Sequence, residues 1–236
     1  MENKNDEQIP FEVDIKRIID VLAKQIYQNV YALLRENCQN AYDAILLRKA
    51  NEPNLNCVIS IEISETKIVV KDNGLGMTKE QLKNNFWRAG SSSKNTDEAK
   101  AAGVVGTFGI GAMANFGIAS YLELYTKHFL TKESHFSYVS RDNLSTTNKC
   151  INISSEERPE GIGTTIIAKI DSGKVNVEDA KKYLYDIVKY LDIPVIINGQ
   201  SINRLKFEDS FEKYSKDSQT CKIENQNLTS DVIADV

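Results

Sequence analysis

Apolar residues recur at helical spacing in the first fifty residues of the chain. After a polar leader at 1–12, one helix is predicted over about residues 14–30 by five apolar residues on one face: Ile15, Ile18, Ile19, Leu22 and Ile26. A second helix is predicted near 31–50. On one of its faces Glu36, Asn40 and Asp43 interrupt the apolar pattern at intervals of four and three, so this face is polar by arrangement.

Runs rich in β-branched and aromatic residues predict a sheet in the rest of the chain. Residues 57–63 and 67–71 indicate a hairpin, and Thr78 with Gln81 forms a capping-box pattern that starts a short helix reaching about Phe86. Further elements are predicted as strands near 121–125, 135–139, 151–153, 164–168 and 194–197, a helix over 177–191 and a turn at Asn198-Gly199. Because no long helices separate the middle strands, we expect an α+β architecture. Its mixed, mostly antiparallel sheet is expected to carry helices on one face.

Composition narrows the class of protein. The 236 residues are 41% hydrophobic and 26% charged, which is typical of a globular domain, and the net charge of −4 comes without a basic stripe. Nucleic acid is therefore not indicated as a partner. The N-terminus has no apolar secretion core, no run approaches the roughly 18 apolar residues of a membrane span, and the four cysteines show no C-x-x-C pairing. We expect a cytoplasmic protein with reduced thiols, no membrane segment and no structural zinc.

Three short motifs carry the candidate chemistry. Glu36 and Asn40 stack a carboxylate and a carboxamide on one helical face, where a metal-phosphate group could meet both. The stretch from Asp72 to Met77 ends a strand with an acidic residue and two glycines. The turn at 106–111 supplies backbone N–H groups ahead of an apolar helical stretch, a favourable place for phosphate. The order of the three motifs predicts one nucleotide pocket.

Each motif taken alone has an ordinary structural explanation. Polar residues at helical spacing usually form a solvated face, and Asp72-Asn73-Gly74 is also a common tight turn. The stretch 109–114 matches the dinucleotide fingerprint G-x-G-x-x-G/A, but a polar segment precedes it instead of a strand, and the chain has no P-loop string. His128 and His135 are interpreted as ordinary surface or hairpin residues.

In combination, the motifs resemble those of the GHKL ATPase superfamily, named for gyrase, heat-shock chaperone, histidine kinase and MutL. Residues 36–44 look like its E-x-x-x-N-A-x-D-A motif, 72–77 like D-x-G-x-G-M, 106–111 like its third motif, and 163–166 like its final G-T-x-[IV]. Over about residues 11–200 the chain looks most like the ATPase domain of the ninety-kilodalton heat-shock chaperones. It departs from them at Asn37-Cys38-Gln39, where a more apolar spacing is usual.

The resemblance implies a two-layer Bergerat fold with a pocket for ATP and Mg²⁺. It implies that Glu36 orients and deprotonates the attacking water, Asn40 holds Mg²⁺, and Asp72 accepts the adenine amino group with support from Thr164 through water. The implied nucleotide-binding residues are Asn40, Asp43, Ala44, Asp72, Gly74, Gly76, Met77, Gly90, Ser91, Gly106, Thr107, Phe108, Gly109, Ile110, Gly111 and Thr164.

The expected organisation is one ATP-binding domain at 13–208, with a lid near 88–105, followed by a polar tail or linker at 209–236. Two functions are open. One is a chaperone-like ATPase that binds ATP and ADP, closes its lid, self-associates with ATP bound and acts on an unknown client. The other is a nucleotide-sensing module of MutL-like or other GHKL type in a regulatory or defence system. The resemblance also implies slow hydrolysis by this chain alone, because a following domain usually supplies a cation to the γ-phosphate.

Overall fold

The computed structural model describes residues 29–88 and 111–202, with Asp14, Arg17, Ile18 and Val21 ahead of them. These residues form one eight-stranded sheet in the order β5-β4-β3-β6-β2-β1-β7-β8. In chain order the strands are β1 Ile59–Ile63, β2 Lys67–Asp72, β3 Ala119–Lys127, β4 Ser134–Ser140, β5 Asn152–Ser155, β6 Gly163–Ile170, β7 Val195–Ile197 and β8 Gln200–Ile202.

Strand pairing is antiparallel everywhere in this sheet except between β1 and β7, which run parallel. The predicted hairpin at 57–71 is confirmed as β1 and β2, with Ile61 opposite Val70. β6, from a distant part of the sequence, inserts between β2 and β3 and pairs with both. The prediction of a mixed, mostly antiparallel sheet is therefore confirmed.

Helices cover one face of the sheet. The described helices are α1 Ala32–Asn51, α2 Lys79–Gln81, α3 Gly111–Asn115 and α4 Val177–Val188, with a π-helical turn Leu82–Phe86 directly after α2 and a 3-10 turn Arg141–Asn143. α1 packs on β1, β2 and β6, and α4 packs on α1 and β1. Alternate residues of the strands point at these helices, and the largest fully buried side chains between the layers include Leu33, Leu34, Ile45, Ile59, Ile61, Ile68, Leu122, Leu124 and Leu184.

Local sequence explains where the short helices begin. The predicted capping box is present: the Gln81 N–H donates to Thr78 Oγ1 at 3.2 Å, and the Thr78 N–H donates to Gln81 Oε1 at 2.9 Å. At the start of α4, Asn176 Oδ1 accepts from the N–H groups of Glu178 and Asp179, and both acidic side chains suit the positive end of the helix.

The structure differs from the sequence-based predictions in a few places. α4 ends at Val188, three residues before the predicted end at 191, and β8 was not predicted. Asn198 and Gly199 take positive φ values of 47° and 80° and turn β7 back into β8.

Most of the helix predicted at 14–30 lies outside the described residues. Among the helices that the structure describes, none is both long and apolar enough to cross a membrane.

Candidate functional site

A row of polar side chains crosses the helix-covered face of the sheet at one end. The strand registers place Asp72 opposite Thr164, Thr164 opposite Thr126, and Thr126 opposite His135. The four residues belong to four adjacent strands, and each is at most 7% exposed. The neighbouring row on the same face holds Val70, so the polar row marks the point where the apolar core ends.

Asp72 is the acidic member of this row. Its Oδ1 accepts the N–H of Gly74 at 2.8 Å and the N–H of Thr164 at 3.3 Å, whereas Oδ2 has no hydrogen bond to residues 29–88 or 111–202. Burial raises the pKa of Asp72 to about 6, against the lowering effects of these two N–H groups and of the guanidinium groups of Arg158 and Arg48. At neutral pH the carboxylate is ionised and keeps one oxygen available as an acceptor.

Thr126 joins the loop after β2 to the rest of the row. Its Oγ1 accepts the N–H of Met77 at 2.8 Å and lies 3.3 Å from both Thr164 Oγ1 and the carbonyl oxygen of Gly163. Thr126 is fully buried, so these contacts satisfy its hydroxyl. The sequence-based prediction included Met77 and Thr164 but missed Thr126, because only the strand register shows that Thr126 lies beside Thr164.

The loop after β2 packs directly against α1. A Cβ on Gly74 would lie 2.7 Å from the Cβ of Ala44, and the Leu75 N–H donates to the Ala44 carbonyl at 2.8 Å. Gly76 takes a φ of +70°, and any side chain there would overlap the carbonyl of Lys127. The structure therefore brings together the first two motifs. Gly74 is needed for the close approach to α1, and Gly76 for the close approach of the loop to Lys127.

A cation–aromatic cluster holds the other side of the same loop. Arg48 Nη1 donates to the Asn73 carbonyl at 2.8 Å, and the Arg48 guanidinium lies 4.9 Å from the ring centre of Phe129. The Phe129 N–H donates to the Leu75 carbonyl at 2.7 Å, and Lys132 Nζ lies 4.6 Å from the same ring. The loop is thus fixed by α1 and by the β3–β4 connection.

Glu36 and Asn40 lie at the other end of the site, next to the start of α3. A Cβ on Gly111 would lie 3.3 Å from Asn40 Nδ2 and 3.4 Å from Glu36 Oε2. The end of the third motif therefore meets the first. Glu36 Oε1 accepts from Arg35 Nη2 at 2.9 Å and from Nε at 3.2 Å, and the Glu36 side chain is 22% exposed. Asp43, one turn beyond Asn40, is buried.

A buried amide pair joins α1 to α3 beside this end of the site. Asn37 Nδ2 donates to Asn115 Oδ1 at 2.7 Å, and Asn115 Nδ2 donates to the Ala112 carbonyl at 3.1 Å. Both asparagines are at most 1% exposed. Asn37 belongs to the part of the first motif that departs from the chaperone pattern, so the departure creates a specific contact between two elements of the site.

The two histidines belong to the β3–β4 hairpin, which agrees with one of the two interpretations, but both are buried and not at the surface. His128 is 5% exposed; burial lowers its pKa, and its Nδ1 accepts from the Thr131 N–H at 3.2 Å. His135, also 5% exposed, lies 3.2 Å from Glu133 Oε2 through Nε2, and its Nδ1 has no partner among the described residues. Next to it on β4, Ser137 accepts the indole N–H of Trp87 at 2.7 Å.

Several predicted site residues lie outside the described residues. These are Gly90, Ser91, Gly106, Thr107, Phe108, Gly109 and Ile110, together with most of the predicted lid at 88–105. For Mg²⁺, the donors at hand are the carboxamide of Asn40 and the neighbouring carboxylate of Glu36, which suit a hard cation that takes its remaining ligands from water and phosphate. Within the described part of the chain, no three acidic, histidine or cysteine residues group into an all-protein metal site.

The fold and the joined motifs define a class of protein. The family model for "Histidine kinase-, DNA gyrase B-, and HSP90-like ATPase" matches residues 28–173, which is more than half of the chain. The match covers α1, the loop after β2 and the strands of the polar row up to β6. The chain belongs to this ATPase family.

Within the family, the relatives are heat-shock chaperones. The chain is 28% identical to chaperone protein HtpG of Buchnera aphidicola subsp. Cinara cedri, over 97% of this chain and 39% of the relative. It is 27% identical to heat shock protein 90 of Encephalitozoon cuniculi, over 80% and 30%, and 26% identical to mitochondrial heat shock protein 75 kDa of Rattus norvegicus, over 83% and 29%. The chain therefore spans about a third of the length of these relatives.

Proposed function

We propose that this chain binds ATP with Mg²⁺ and hydrolyses it slowly, as the ATPase domain of a chaperone related to heat shock protein 90. The observation that carries the proposal is the joining of separate motifs into one site. Gly74 packs on Ala44 in the C-terminal half of α1, and Gly111 packs beside Glu36 and Asn40 in its N-terminal half. Family membership and the names of the relatives support the same activity.

The base end of the proposed site is the polar row. Oδ2 of Asp72, the oxygen that the described residues leave available, accepts the amino group of adenine, and Thr164 assists through a water molecule. Gly76 leaves room for the base and Met77 packs against it. This chemistry selects adenine, since guanine presents a carbonyl oxygen at the corresponding position and a carboxylate would repel it.

The phosphate end of the proposed site is formed by α1 and α3. Asn40 binds Mg²⁺, Glu36 orients and deprotonates the attacking water, and Asp43 and Ala44 line the helix face behind them. Backbone N–H groups of the turn at 106–111 hold the phosphates, and the lid near 88–105, including Gly90 and Ser91, closes over the nucleotide.

Three broader points belong to the same proposal. ATP binding promotes self-association, and the conformational change acts on a client protein whose chemistry the site does not define. We also propose a cytoplasmic location. The free thiols of Cys38, Cys57 and Cys150 support a reducing compartment.

A turnover assay on Glu36→Ala tests the proposal, with Lys49→Ala as the matched control on the exposed end of the same helix. We expect the Glu36 variant to bind ATP as tightly as the parent but to lose Mg²⁺-dependent hydrolysis, because a water-activating base acts on the chemical step. The ATP-loaded variant should also be protected from proteolysis within 88–105. Undiminished hydrolysis by the folded variant would contradict the role of Glu36, and equal cleavage with and without ATP would contradict lid closure.

A further inference from the structure

Arg158, in the connection between β5 and β6, is a buried arginine with every guanidinium nitrogen hydrogen-bonded. Its side chain is only 2% exposed, although three glutamates, Glu156, Glu157 and Glu160, lie within two residues of it in the sequence. It donates to four carbonyl groups and one hydroxyl at 2.9–3.2 Å. The acceptors are Thr165 Oγ1 for Nε, the carbonyls of Gly161 and Ile162 for Nη1, and the carbonyls of Asp72 and Thr164 for Nη2.

The two carbonyls bound by Nη2 belong to the residues proposed to contact adenine. Asp72 is the last residue of β2, and Thr164 is its partner near the start of β6. Gly163 passes so close to the Asp72 carbonyl that a side chain on Gly163 would overlap it. A single planar guanidinium therefore joins the end of β2 to the start of β6 where the polar row begins, and its rigid fork fixes their spacing.

The charge of Arg158 also acts on Asp72. Among the described residues, the charged groups that influence this carboxylate are Arg158 from the β5–β6 connection and Arg48 from α1, and both lower its pKa against the effect of burial. Glu160 Oε2 lies 3.9 Å from Arg158 Nε, and Glu52 pairs with Arg48 at 2.9 Å. Burial lowers the pKa of Arg158, but a guanidinium retains its proton in proteins.

We infer that Arg158 is the positioning residue of the adenine end of this site: it holds Asp72 and Thr164 at the spacing that selects adenine. The inference rests on the proposed ATP-binding function. Arg158 contacts neither the base nor the phosphates in this proposal. It acts on adenine binding through the carbonyl groups of Asp72 and Thr164 and through the charge of Asp72.

The test compares Arg158→Lys and Arg158→Met with Lys169→Met, a control on β6 that removes an exposed cation from the opposite face of the sheet. Calorimetry measures the dissociation constants of ATP and GTP between pH 5.5 and 8.5, and circular dichroism establishes folding. Arg158→Lys keeps the charge but loses the fork, so we expect ATP to bind about tenfold more weakly, with a reduced preference over GTP.

Arg158→Met removes the charge as well. Its loss of ATP affinity at low pH should therefore begin at a higher pH than in the parent, whereas the Lys variant should keep the parent's pH profile. A merely structural role would lower thermal stability without changing the ATP/GTP ratio or the pH profile of the folded protein. Lys169→Met should match the parent in ATP affinity, in the preference for ATP over GTP and in the pH profile.

The possible results distinguish the role of Arg158 from the proposed ATP binding on which it rests. If the parent binds no ATP, both are wrong. If the parent binds ATP and folded Arg158→Lys or Arg158→Met matches its affinity, its preference and its pH profile, only the inference is overturned. Should both variants fail to fold, Thr165→Val decides, because it removes one acceptor and leaves the guanidinium in place. We expect it to bind ATP a few-fold more weakly, and unchanged binding would overturn the inference.

Discussion

At the scale of single residues, Asp72 shows a conflict between function and stability. The site places a carboxylate among buried groups, and burial raises its pKa to about 6 from an ordinary 3.8. That difference corresponds to roughly 3 kcal/mol by which the ionised group destabilises the fold at neutral pH. A residue that costs stability in this way is better explained by a ligand than by packing.

Replacing Asp72 by Asn should therefore raise the stability of the ligand-free protein at pH 7. The amide oxygen can still accept from Gly74 and Thr164, and the buried charge is gone. Because the folded pKa lies above the unfolded one, the penalty is present above about pH 6 and is lost as the pH falls toward 4. In thermal melts at pH 7, the midpoint of the variant should lie several degrees above that of the parent. Near pH 4 the two midpoints should converge. A variant that melts well below the parent at pH 7 would contradict this explanation.

At the scale of elements, α1 organises the site, because it carries the first motif and receives the loop after β2 and the start of α3. The Asn37–Asn115 hydrogen bond fixes α1 against α3 inside the protein, away from water. An amide pair of this kind specifies the register of two elements, and loss of one partner leaves a buried polar group unpaired. Asn37 Oδ1 already has no hydrogen-bond partner among the described residues.

We expect Asn37→Leu to lower the free energy of unfolding by about 1–3 kcal/mol, since it leaves Asn115 Oδ1 without its donor. The double variant Asn37→Leu/Asn115→Leu should lose less than the sum of the two single changes. Urea unfolding gives all three values. Asn51→Ala, at the exposed end of α1, is the control and should change little. Strict additivity would show that the pair contributes no coupling between α1 and α3.

The elements differ in how far the sequence could predict them. Helical spacing and strand alternation were sufficient for α1, the β1–β2 hairpin and the capping box, because local pattern determines each of them. Thr126 could not be assigned to the site, since Thr164, the predicted site residue beside it, lies 38 residues further along the chain.

Arg158 shows the same limit more strongly. It lies among Glu156, Glu157, Pro159 and Glu160, a composition typical of an exposed loop, and its burial depends on the meeting of β2 and β6. The burial of His128 and His135 could not be predicted either, because the face of β4 that holds His135 and the packing of His128 in the β3–β4 connection depend on the register.

At the scale of the whole molecule, the chain corresponds to only part of its relatives. It spans 39%, 30% and 29% of the three chaperones compared above. The resemblance to GHKL proteins implies that a following domain supplies a cation to the γ-phosphate. Phosphoryl transfer depends strongly on such a charge, which is worth about 10³-fold or more in rate.

The isolated 236-residue chain should therefore turn over ATP slowly and remain largely monomeric, even when its site is filled. Steady-state hydrolysis and light scattering on this chain, and on a fusion carrying the segment that follows in a relative such as HtpG of Buchnera aphidicola, provide the comparison. We expect the fusion to be faster. Brisk turnover by the 236-residue monomer would show that the site is complete without a following domain.

The central claim is that the polar row around Asp72 binds the adenine of ATP. Isothermal titration of Mg·ATP into the parent and Asp72→Asn at neutral pH tests it, with the exposed Asp171→Asn as the matched control. We predict heat of binding for the parent and the control, and an affinity at least about 10–100-fold weaker for the folded Asp72 variant, whose amide cannot replace the acceptor for the adenine amino group. Binding by that folded variant at the parent's affinity, or no binding by the parent, would contradict the claim.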